Sequence, residues 1–586
     1  MAARFAHRLP FGAEMQPDGT TRFRIWAPAV VGMVLQPDDA PAVPMHAAPG
    51  GWHVADIACA AGTRYRYRLP NGVLVPDPAA RRQHGDVHGS SVVIDPRAYD
   101  WQCPDWPGRP WHEAVIYELH VGLCGGFAGV AARLEGLAEL GITAIELMPI
   151  ADFPGRRNWG YDGVLPFAPD EAYGTPDELK ALIDRAHALG LMVLLDVVYN
   201  HFGPDGNFLH ACAPPFFNPD TDTPWGAAIA FERPEVRAFF THNALYWLCE
   251  YRFDGLRFDA AHAILPQSVL LELARAIRAG VASGRQVHLL LEHEGNLASL
   301  LGPGRFDAQW ADDAHHCLHV LLTGEQEGYY ADYPDPAAQL ARALAEGFAY
   351  QGERSPRGRR RGEPSAALPP TCFIFCLQNH DQIGNRAFGE RLTQLADADA
   401  LHAAQALLLL APQIPLLFMG EEGASRAPFL YFTDHTAELA EAVRDGRRRE
   451  FAHFAAFADP ARRAQLPDPN DAATFARSVP DPAAGDAATR ALIGRLLSLR
   501  ARHIVPHLPG CRSLGAVPLG VGGVAARWRF GDGSTLIIAC NPGAAPLPIA
   551  AVAGPTLFES RDGAADALRQ GRLPPRCTVA LLRPPA

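Results

Sequence analysis

The sequence lacks several features that would assign it to a common class. Its 11 cysteines are scattered, without a CxxC pair or a Cys/His cluster, which argues against a disulfide framework and against a zinc site. The apolar run at 403–410 is far shorter than the ~18 residues that a membrane helix needs. The first residues contain no apolar signal-peptide core, and no internal repeat is visible. We therefore expect a reduced, cytoplasmic protein without a membrane partner.

Positive charge is also scarce. The formal net charge is −12 and the isoelectric point is about 6.0, which argues against a nucleic-acid partner. One short basic run, residues 357–361, lies among Pro, Gly and Ser, and we expect it to be a solvated loop. Hydrophobic residues make up 48% of the 586, enough for a large core divided among two to four domains.

Both ends of the chain show period-two alternation of polar and apolar residues, which indicates β-strands. Near the N-terminus it occurs at Thr21–Trp26 and Tyr65–Leu69, with Asp-Gly and Asn-Gly turn signals between strands. After residue 505 it returns at 524–530, 535–538 and 578–582. We predict an N-terminal β-sandwich resembling a carbohydrate-binding module at 1–98 and an antiparallel β domain at 505–586.

Between these ends, short apolar runs alternate with longer amphipathic segments. The segment that begins at Thr175 has a helix start, with an N-cap Thr, a Pro in the first turn and acidic residues after it. Eight apolar runs separated by helices favour a parallel (β/α)8 barrel over an open sheet, here placed at 99–504. The runs are 115–117, 143–147, 192–196, 255–259, 287–292, 306–310, 373–377 and 415–419.

Polar residues end several of these runs, and in such a barrel the active site lies at the carboxyl ends of the strands. Asp196 ends the third run, Asp259 the fourth and Glu292 the fifth, while Asp381 follows the seventh. Unpaired carboxylates in one pocket are costly, unless the pocket must stabilise a positive charge such as an oxocarbenium-like transition state.

Arg257 divides these acids into two roles. It lies two residues before Asp259, on the same strand face, where it can hold that carboxylate ionised and nucleophilic. Glu292 would lie in a less polar place, with a raised pKa, and act as an acid. Glu294 is a rival acid on the same strand face, but Glu292 ends the apolar run directly.

Four blocks resemble the conserved regions of the α-amylase superfamily of glycoside hydrolases: 196–201, 255–259, 291–292 and 379–381. More narrowly, the runs Gln-Asn-His-Asp-Gln-Ile-Gly-Asn-Arg at 378–386 and Phe-Thr-Asp-His at 432–435 resemble the malto-oligosyltrehalose trehalohydrolases. The resemblance covers nearly the whole chain. It implies retaining hydrolysis of the α-1,4 bond next to the terminal trehalose of maltooligosyltrehalose, without a cofactor, in sequence with a maltooligosyltrehalose synthase.

The resemblance also implies residue roles. Asp259 would attack the anomeric carbon, Glu292 would be the acid and then the base, and Asp381 would bind the distorted sugar. Four residues, His262, Asp312, Asp313 and His315, would face the +1 and +2 sugars, where trehalose lies. The other predicted substrate-binding residues are Tyr161, Asp162, Asp196, His201, Arg257, His380, Gln382, Asn385 and Arg386.

Other interpretations of the same residues remain open. Asp312 and Asp313 could cap a helix, and His315, His316 and His319 have a spacing that hints at a metal, although no metal is expected. Some secreted amylases bind calcium where Asn200 lies, but we expect none here. A glycogen branching enzyme, which shares the fold and the first chemical step, is the alternative function.

Overall fold

A computed structural model describes residues 4–481 and 484–585. Two antiparallel sheets form the N-terminal part, with strand orders β1-β2-β6-β5 and β4-β3-β7-β10-β9, and β8 pairs with β7. Alternate residues of both sheets, among them Phe23, Leu35 and Tyr65, form one buried cluster between them, which confirms the predicted β-sandwich. The strands are β1 (Gly12–Met15), β2 (Thr21–Trp26), β3 (Val34–Pro37), β4 (Val43–Pro44), β5 (His46–Ala48), β6 (Trp52–Ile57), β7 (Arg64–Arg68), β8 (Leu74–Val75), β9 (Gln83–His84) and β10 (Ser90–Val92).

Eight parallel strands close into a barrel. Each strand overlaps one of the eight predicted apolar runs. The last strand pairs with the first, Ile116 opposite Leu416, so the predicted fold class is confirmed. The barrel strands are β11 (Ile116–Leu119), β12 (Ala144–Leu147), β15 (Met192–Val197), β18 (Gly255–Phe258), β19 (His288–Leu291), β20 (Ala308–Trp310), β21 (Phe373–Cys376) and β22 (Ile414–Phe418).

The barrel interior changes from apolar to polar along the strands. Ile116, Leu194 and Leu290 belong to a buried apolar cluster, against which Trp106 and Trp111 pack. Because side chains alternate along a strand, the next inward residue of β11 is Glu118, and that of β15 is Asp196. The acids therefore gather toward the carboxyl ends of the strands.

Helices and short hairpins follow the barrel strands. Helix α3 begins as predicted: the Thr175 side chain accepts a hydrogen bond from the Glu178 N–H, and the two residues form a capping box. The hairpins are β13 (Ala151–Asp152) with β14 (Leu165–Pro169) and β16 (Phe217–Thr223) with β17 (Gly226–Ile229). The helices up to the last barrel strand are α1 (Gly126–Ala131), α2 (Leu134–Leu140), α3 (Pro176–Ala188), α4 (Leu209–Cys212), α5 (Pro234–Leu245), α6 (Ser268–Gly280), α7 (Asp312–Thr323), α8 (Pro336–Glu346), α9 (His380–Gly384), α10 (Leu392–Leu395) and α11 (Ala398–Leu410).

After the barrel, four helices lead to a five-stranded antiparallel sheet of order β23-β24-β25-β29-β27. The three strands predicted there are present, while β23 and β27 were not predicted. The exact domain limits at 98/99 and 504/505 stay a prediction. The elements are α12 (Ala437–Phe451), α13 (Pro460–Arg463), α14 (Ala472–Ser478), α15 (Ala487–His503), β23 (Arg512–Leu519), β24 (Gly523–Arg529), β25 (Thr535–Asn541), β26 (Leu547–Pro548), β27 (Thr556–Glu559), α16 (Ala564–Arg569), β28 (Arg572–Leu573) and β29 (Cys577–Arg583).

A membrane-spanning helix is not found anywhere in the described ranges, where each helix is too short or too polar to cross a bilayer.

Candidate active site

The Arg257 guanidinium lies at the centre of the polar layer. Its Nη1 donates to Asp196 Oδ2 at 2.6 Å and to Asp259 Oδ1 at 2.8 Å, and its Nη2 donates to Glu292 Oε2 at 2.8 Å. The guanidinium carbon lies 4.3 Å from the centroid of the Trp310 ring, which covers one face of the cation. The Arg257 guanidinium thus contacts acids from three neighbouring strands. The sequence predicted these acids together at the carboxyl ends of the strands.

Asp259 is surrounded by groups that favour its ionised form. Asn200 Nδ2 donates to Asp259 Oδ2 at 2.8 Å and also to its main-chain oxygen. Burial works against the charge, but Arg257 and His201 outweigh it, so the pKa of Asp259 lies below its usual value. Each of the two carboxylate oxygens is held by a hydrogen bond, one from Arg257 and one from Asn200. An ionised carboxylate held in this way is suited to attack an electrophilic carbon.

Glu292 differs from Asp259 although the same arginine contacts both. The Ala260 main-chain N–H donates to Glu292 Oε2 at 2.9 Å, and Ala260 itself adopts a left-handed φ of 38°. Burial, together with the negative charges of Asp259, Asp381 and Asp312, outweighs the opposing effect of Arg257 and raises the pKa of Glu292 to about 8. Glu292 therefore holds a proton near neutral pH and can donate it.

Glu294, the rival acid, lies in a different environment. Its side chain is 46% exposed and forms an ion pair with Arg359. Burial disfavours the charge, but the hydrogen bond to Arg359 and nearby positive charges outweigh burial, so the pKa of Glu294 is lowered. A carboxylate that is stabilised in its ionised form is a poor proton donor at neutral pH. The geometry favours Glu292.

Asp381, Tyr161 and His380 border the same pocket. Asn385 Nδ2 donates to Asp381 Oδ1 at 2.5 Å, so this predicted substrate-binding residue contacts a predicted catalytic acid. The Tyr161 hydroxyl donates to Asp196 Oδ2 at 2.6 Å and lies 2.8 Å from His380 Nε2. Tyr161 also stacks on the His380 imidazole, with ring centroids 5.1 Å apart.

Two acids of the polar layer were missed by sequence reasoning. Glu118 contacts both His380 Nδ1 and, at 3.1 Å, the His380 main-chain N–H. Its neighbour in strand register is Glu146, which is buried and whose two carboxyl oxygens have no hydrogen-bond partner among the described residues. The available signal was a charged residue directly after the first apolar run and another inside the second, both at inward positions of their strands.

Glu118 changes the charge of His380. Burial alone would lower the pKa of this imidazole, but the adjacent carboxylate raises it to about 9. His380 is therefore an imidazolium at neutral pH. Its positive charge lies next to Asp381 and, through Tyr161, next to Asp196.

The other side of the mouth carries aromatic residues that sequence reasoning did not include. Trp225 lies at the turn of the β16–β17 hairpin and is 44% exposed. It stacks on His201 with centroids 5.5 Å apart and lies 6.2 Å from His262.

Asp162 accepts a hydrogen bond from Asn158 Nδ2 at 2.6 Å. It also lies 3.5 Å from His435, which belongs to the Phe-Thr-Asp-His run.

The two aspartates at the start of α7 differ sharply. Asp312 is half-buried, and its pKa is raised to about 7 by burial and by Asp381. Asp313 is fully buried and accepts from the Tyr333 hydroxyl, the Asn296 amide and the Ala349 N–H, so it does not face substrate as predicted. The capping alternative is also wrong, because the N-cap residue is Ala311 and no side chain caps the helix.

Three further predicted substrate contacts already interact with other groups of the protein. The His315 ring is buried and hydrogen-bonds the Leu377 oxygen at 2.8 Å. Gln382 is buried, and its main-chain N–H donates to Asn379. Arg386 forms a bidentate pair with Glu325 at 2.7 and 3.0 Å, so its charge is already neutralised.

The basic run at 357–361 is not uniformly solvated as expected. Arg361 is largely buried, lies 3.3 Å from Asp313 and packs over the Tyr350 ring. A buried guanidinium is needed there because Asp313 is a buried carboxylate.

The His-rich helix does not form a metal centre in the part of the chain that is described. His315, His316 and His319 each have a separate partner, respectively the Leu377 oxygen, the Tyr333 hydroxyl and Glu325. Within residues 4–481 and 484–585, no group of three or more His, Cys, Asp or Glu side chains is arranged so that it could hold a metal ion.

Comparison with known proteins identifies the family of this chain. The family model for the alpha amylase catalytic domain matches residues 84–213, and a model for a domain of unknown function matches 511–581. Malto-oligosyltrehalose trehalohydrolase from Deinococcus radiodurans is 42% identical over 482 residues, which cover 80% of this chain and 79% of the relative. A 1,4-alpha-glucan branching enzyme from Kitasatospora aureofaciens is 35% identical over 43% of this chain and 36% of the relative.

A solved structure is similar over nearly the whole chain. The crystal structure of a Salmonella typhimurium protein assigned as an alpha amylase superposes with a TM-score of 0.92 at 43% identity, covering 98% of this chain and all of that one.

Proposed function

Because the chain belongs to the malto-oligosyltrehalose trehalohydrolases of the α-amylase superfamily, we propose that it hydrolyses the α-1,4 bond next to the terminal trehalose of a maltooligosyltrehalose. The observation that carries the proposal is the Arg257 bridge, which contacts both Asp259 and Glu292 while the two carboxyl groups favour opposite protonation states. A nucleophile beside a proton donor is the pair that retaining glycosidases need.

The proposed reaction proceeds in two displacements. Asp259 attacks the anomeric carbon as Glu292 donates its proton to the oxygen of the leaving trehalose. Glu292, now a carboxylate, then takes a proton from water, which attacks the glycosyl-enzyme and frees a maltooligosaccharide with α configuration. Asp381, oriented by Asn385, accepts hydrogen bonds from hydroxyls of the distorted sugar.

The proposed binding of trehalose involves the side of the mouth near Glu292. The proton donor must lie on the leaving-group side, so the trehalose units lie toward His262, Trp225 and half-buried Asp312. Trehalose joins two anomeric carbons, so its second ring lies at a different angle from that of maltose. A pocket whose polar groups match one geometry strongly rejects the other, because its donors and acceptors are left unpaired.

The decisive experiment is product analysis with two substrates. The protein is incubated with maltotriosyltrehalose and, separately, with maltopentaose, and free trehalose is measured by chromatography. We expect rapid trehalose release from the first and slow hydrolysis of the second. Branched or lengthened glucans from maltopentaose, without trehalose from the capped substrate, would instead identify a branching enzyme.

The cellular setting of the proposal follows from its substrate. A reaction that isomerises the reducing end of a maltooligosaccharide to a trehalose unit must supply this substrate. We therefore propose that the enzyme acts after a maltooligosyltrehalose synthase and in the cytoplasm, where such an intermediate would be made.

A further inference from the structure

A chain of hydrogen bonds connects Glu118, inside the barrel, with the carboxylate of Asp196. Glu118 contacts His380 Nδ1, and His380 Nε2 lies 2.8 Å from the Tyr161 hydroxyl. The same hydroxyl lies 2.6 Å from Asp196 Oδ2, the oxygen to which Arg257 also donates. Arg257 in turn contacts the nucleophile and the acid. Glu118 is therefore connected to the catalytic carboxyl groups without touching them.

The donor and acceptor roles along this chain follow from the number of protons available. Asp196 Oδ2 already accepts from Arg257, so it is an acceptor and the Tyr161 hydroxyl donates to it. A hydroxyl has one proton, so Tyr161 can only accept from His380 Nε2. His380 Nδ1 faces the Glu118 carboxylate and is the second donor of the ring. The ring therefore carries a proton on both nitrogens, which is the imidazolium form.

Glu118 is the group that keeps the ring in this form. In the part of the chain that the structure describes, it is the one carboxylate hydrogen-bonded to the ring, and its second oxygen accepts from the His380 main-chain N–H at 3.1 Å. Both side chains are almost completely buried, so an unpaired charge on either would be costly. A charged N–H is a stronger donor than a neutral one, and it holds the Tyr161 hydroxyl in the orientation that donates to Asp196.

Other titratable and charged groups face His380 from several elements, but they do not replace Glu118. Two aspartates at the barrel mouth favour a proton on the ring, whereas burial, an arginine and a second histidine oppose it. Burial raises the pKa of Glu146, so this neighbouring acid is neutral and adds no charge. The groups are Glu118 and His120 on β11, Glu146 on β12, Tyr161 in the loop after it, Asp196 on β15, Arg257 on β18, Asp259 directly after β18, and Asp381 next to the ring.

We propose that Glu118 is a positioning residue for the hydrolysis. It holds His380 as a charged donor, which directs the Tyr161 hydroxyl to Asp196 and so leaves the Arg257 guanidinium to the nucleophile and the acid. Glu118 acts only through this chain, because it does not touch the reacting atoms. The proposal rests on the proposed function. Since the chain ends on the groups that carry out the chemical step, its disruption should lower kcat and leave KM nearly unchanged.

The first test measures trehalose release from maltotriosyltrehalose by Glu118→Gln between pH 5.5 and 7.5. The new amide can accept from the His380 main-chain N–H and donate to the ring, so the substitution keeps the shape and removes the charge. The ring then loses its proton as the pH rises. Relative to wild type, the kcat of the variant should fall about tenfold across this range, the size typical of coupling within one hydrogen-bond network. A role limited to the fold would give the same ratio at every pH.

Three further variants isolate the effect of the charge. Glu118→Asp keeps a carboxylate, so its kcat relative to wild type should not vary with pH, even where its overall activity is lower. Glu146→Gln replaces a neutral acid with a neutral amide opposite Glu118 on the neighbouring strand and should also give a constant ratio. A Tyr161→Phe background interrupts the chain, so Glu118→Gln should cause no additional pH-dependent loss there.

The second test observes the ring without catalysis. Nitrogen NMR of protein labelled with nitrogen-15 histidine, with the His380 signals identified by their loss in His380→Asn, reports whether both ring nitrogens carry protons. We expect two ring protons in wild type at pH 7.5 and one in Glu118→Gln. The wild-type measurement decides the matter if Glu118→Gln does not fold.

The outcomes separate this proposal from the proposed function. If wild type releases no trehalose but hydrolyses or branches maltopentaose, the same pH-dependent ratio is expected with maltopentaose, because the first displacement is shared. The proposed function would then fail and the role of Glu118 would stand. A neutral His380 ring in wild type, or a ratio of Glu118→Gln to wild type that is constant with pH, would overturn the role of Glu118.

Discussion

Replacing Glu118 with Gln should destabilise the protein in a way that depends on pH. Glu118 contacts both the ring and the main chain of His380, and both side chains are almost completely buried. The substitution keeps the shape of the side chain but removes its charge. Burial, which lowers the pKa of His380, is then no longer opposed by this partner, and the imidazole becomes neutral near pH 7.

The size and sign of the effect follow from the pKa of His380. A rise from 6.5 to about 9 on folding corresponds to about 3 kcal/mol of stability. Because the folded pKa is the higher one, this contribution is fully present below about pH 6.5 and is lost as the pH rises through about 9. The wild type should therefore exceed Glu118→Gln by about 3 kcal/mol at pH 6, and the difference should shrink toward pH 9.5.

The assay is chemical denaturation from pH 5.5 to 9.5, and the chain provides a matched control. Glu146 lies opposite Glu118 on the neighbouring strand and is equally buried, but burial and the charge of Glu118 raise its pKa well above the usual value. Glu146→Gln therefore replaces a neutral acid with a neutral amide and should leave the pH dependence nearly unchanged. A stability difference for Glu118→Gln that stays constant across the pH range would refute the reasoning.

Further predictions concern catalysis and the two aspartates of α7. Asp259→Asn should preserve the fold and reduce turnover more than about a hundredfold, since an amide is a poor nucleophile. With the wild-type enzyme, proton NMR should show the α anomer of the released maltooligosaccharide first, and a β anomer would contradict retention. The wild-type kcat/KM should fall as the pH rises through about 8, because Glu292 loses the proton it donates; an unchanged rate up to pH 9.5 would assign the acid elsewhere. Asp313→Ala should lower the unfolding free energy by about 3 kcal/mol, since it leaves buried donors unpaired, whereas Asp312→Ala should leave it nearly unchanged and reduce activity on maltotriosyltrehalose more than on maltopentaose. Equal losses on both substrates would assign Asp312 to a structural role.

Much of the fold could be predicted because barrel strands have an unusually clear signature. Parallel strands buried on both faces are short apolar runs, and each of the eight runs corresponds to a strand. The polar residue that ends such a run must lie at the barrel mouth. The sequence therefore predicted that Asp259 and Glu292 lie close together, although α6 and its loops separate their strands along the chain.

Residues within helices and loops were predicted less well, because a helix start does not reveal which side faces solvent. Asp312 and Asp313 are adjacent, and consecutive helical residues point about 100° apart. One consequently reaches the pocket, while the other is buried beside Arg361. Strand β23 was missed for a different reason: its residues Arg512–Leu519 are mostly exposed or half-buried, so the strand lacks the apolar side that identifies others.

Glu118 shows the same limit inside the barrel. Its inward position could be read from the alternation of β11, but its partner His380 is more than 250 residues away along the chain. Only the closure of β11 onto β22, with β21 beside it, brings the two together.

The different protonation of Asp259 and Glu292 follows from the unequal support that their ionised forms receive. Arg257 contacts three carboxyl groups, and its one charge cannot by itself compensate three buried negative ones. The proton should remain on the carboxyl group whose ionised form has the least additional support. Asp259 has the Asn200 amide and nearby His201, whereas Glu292 adds one main-chain N–H and faces three other acids. The same arginine thus holds the nucleophile ionised while its neighbour keeps the proton that the leaving group needs.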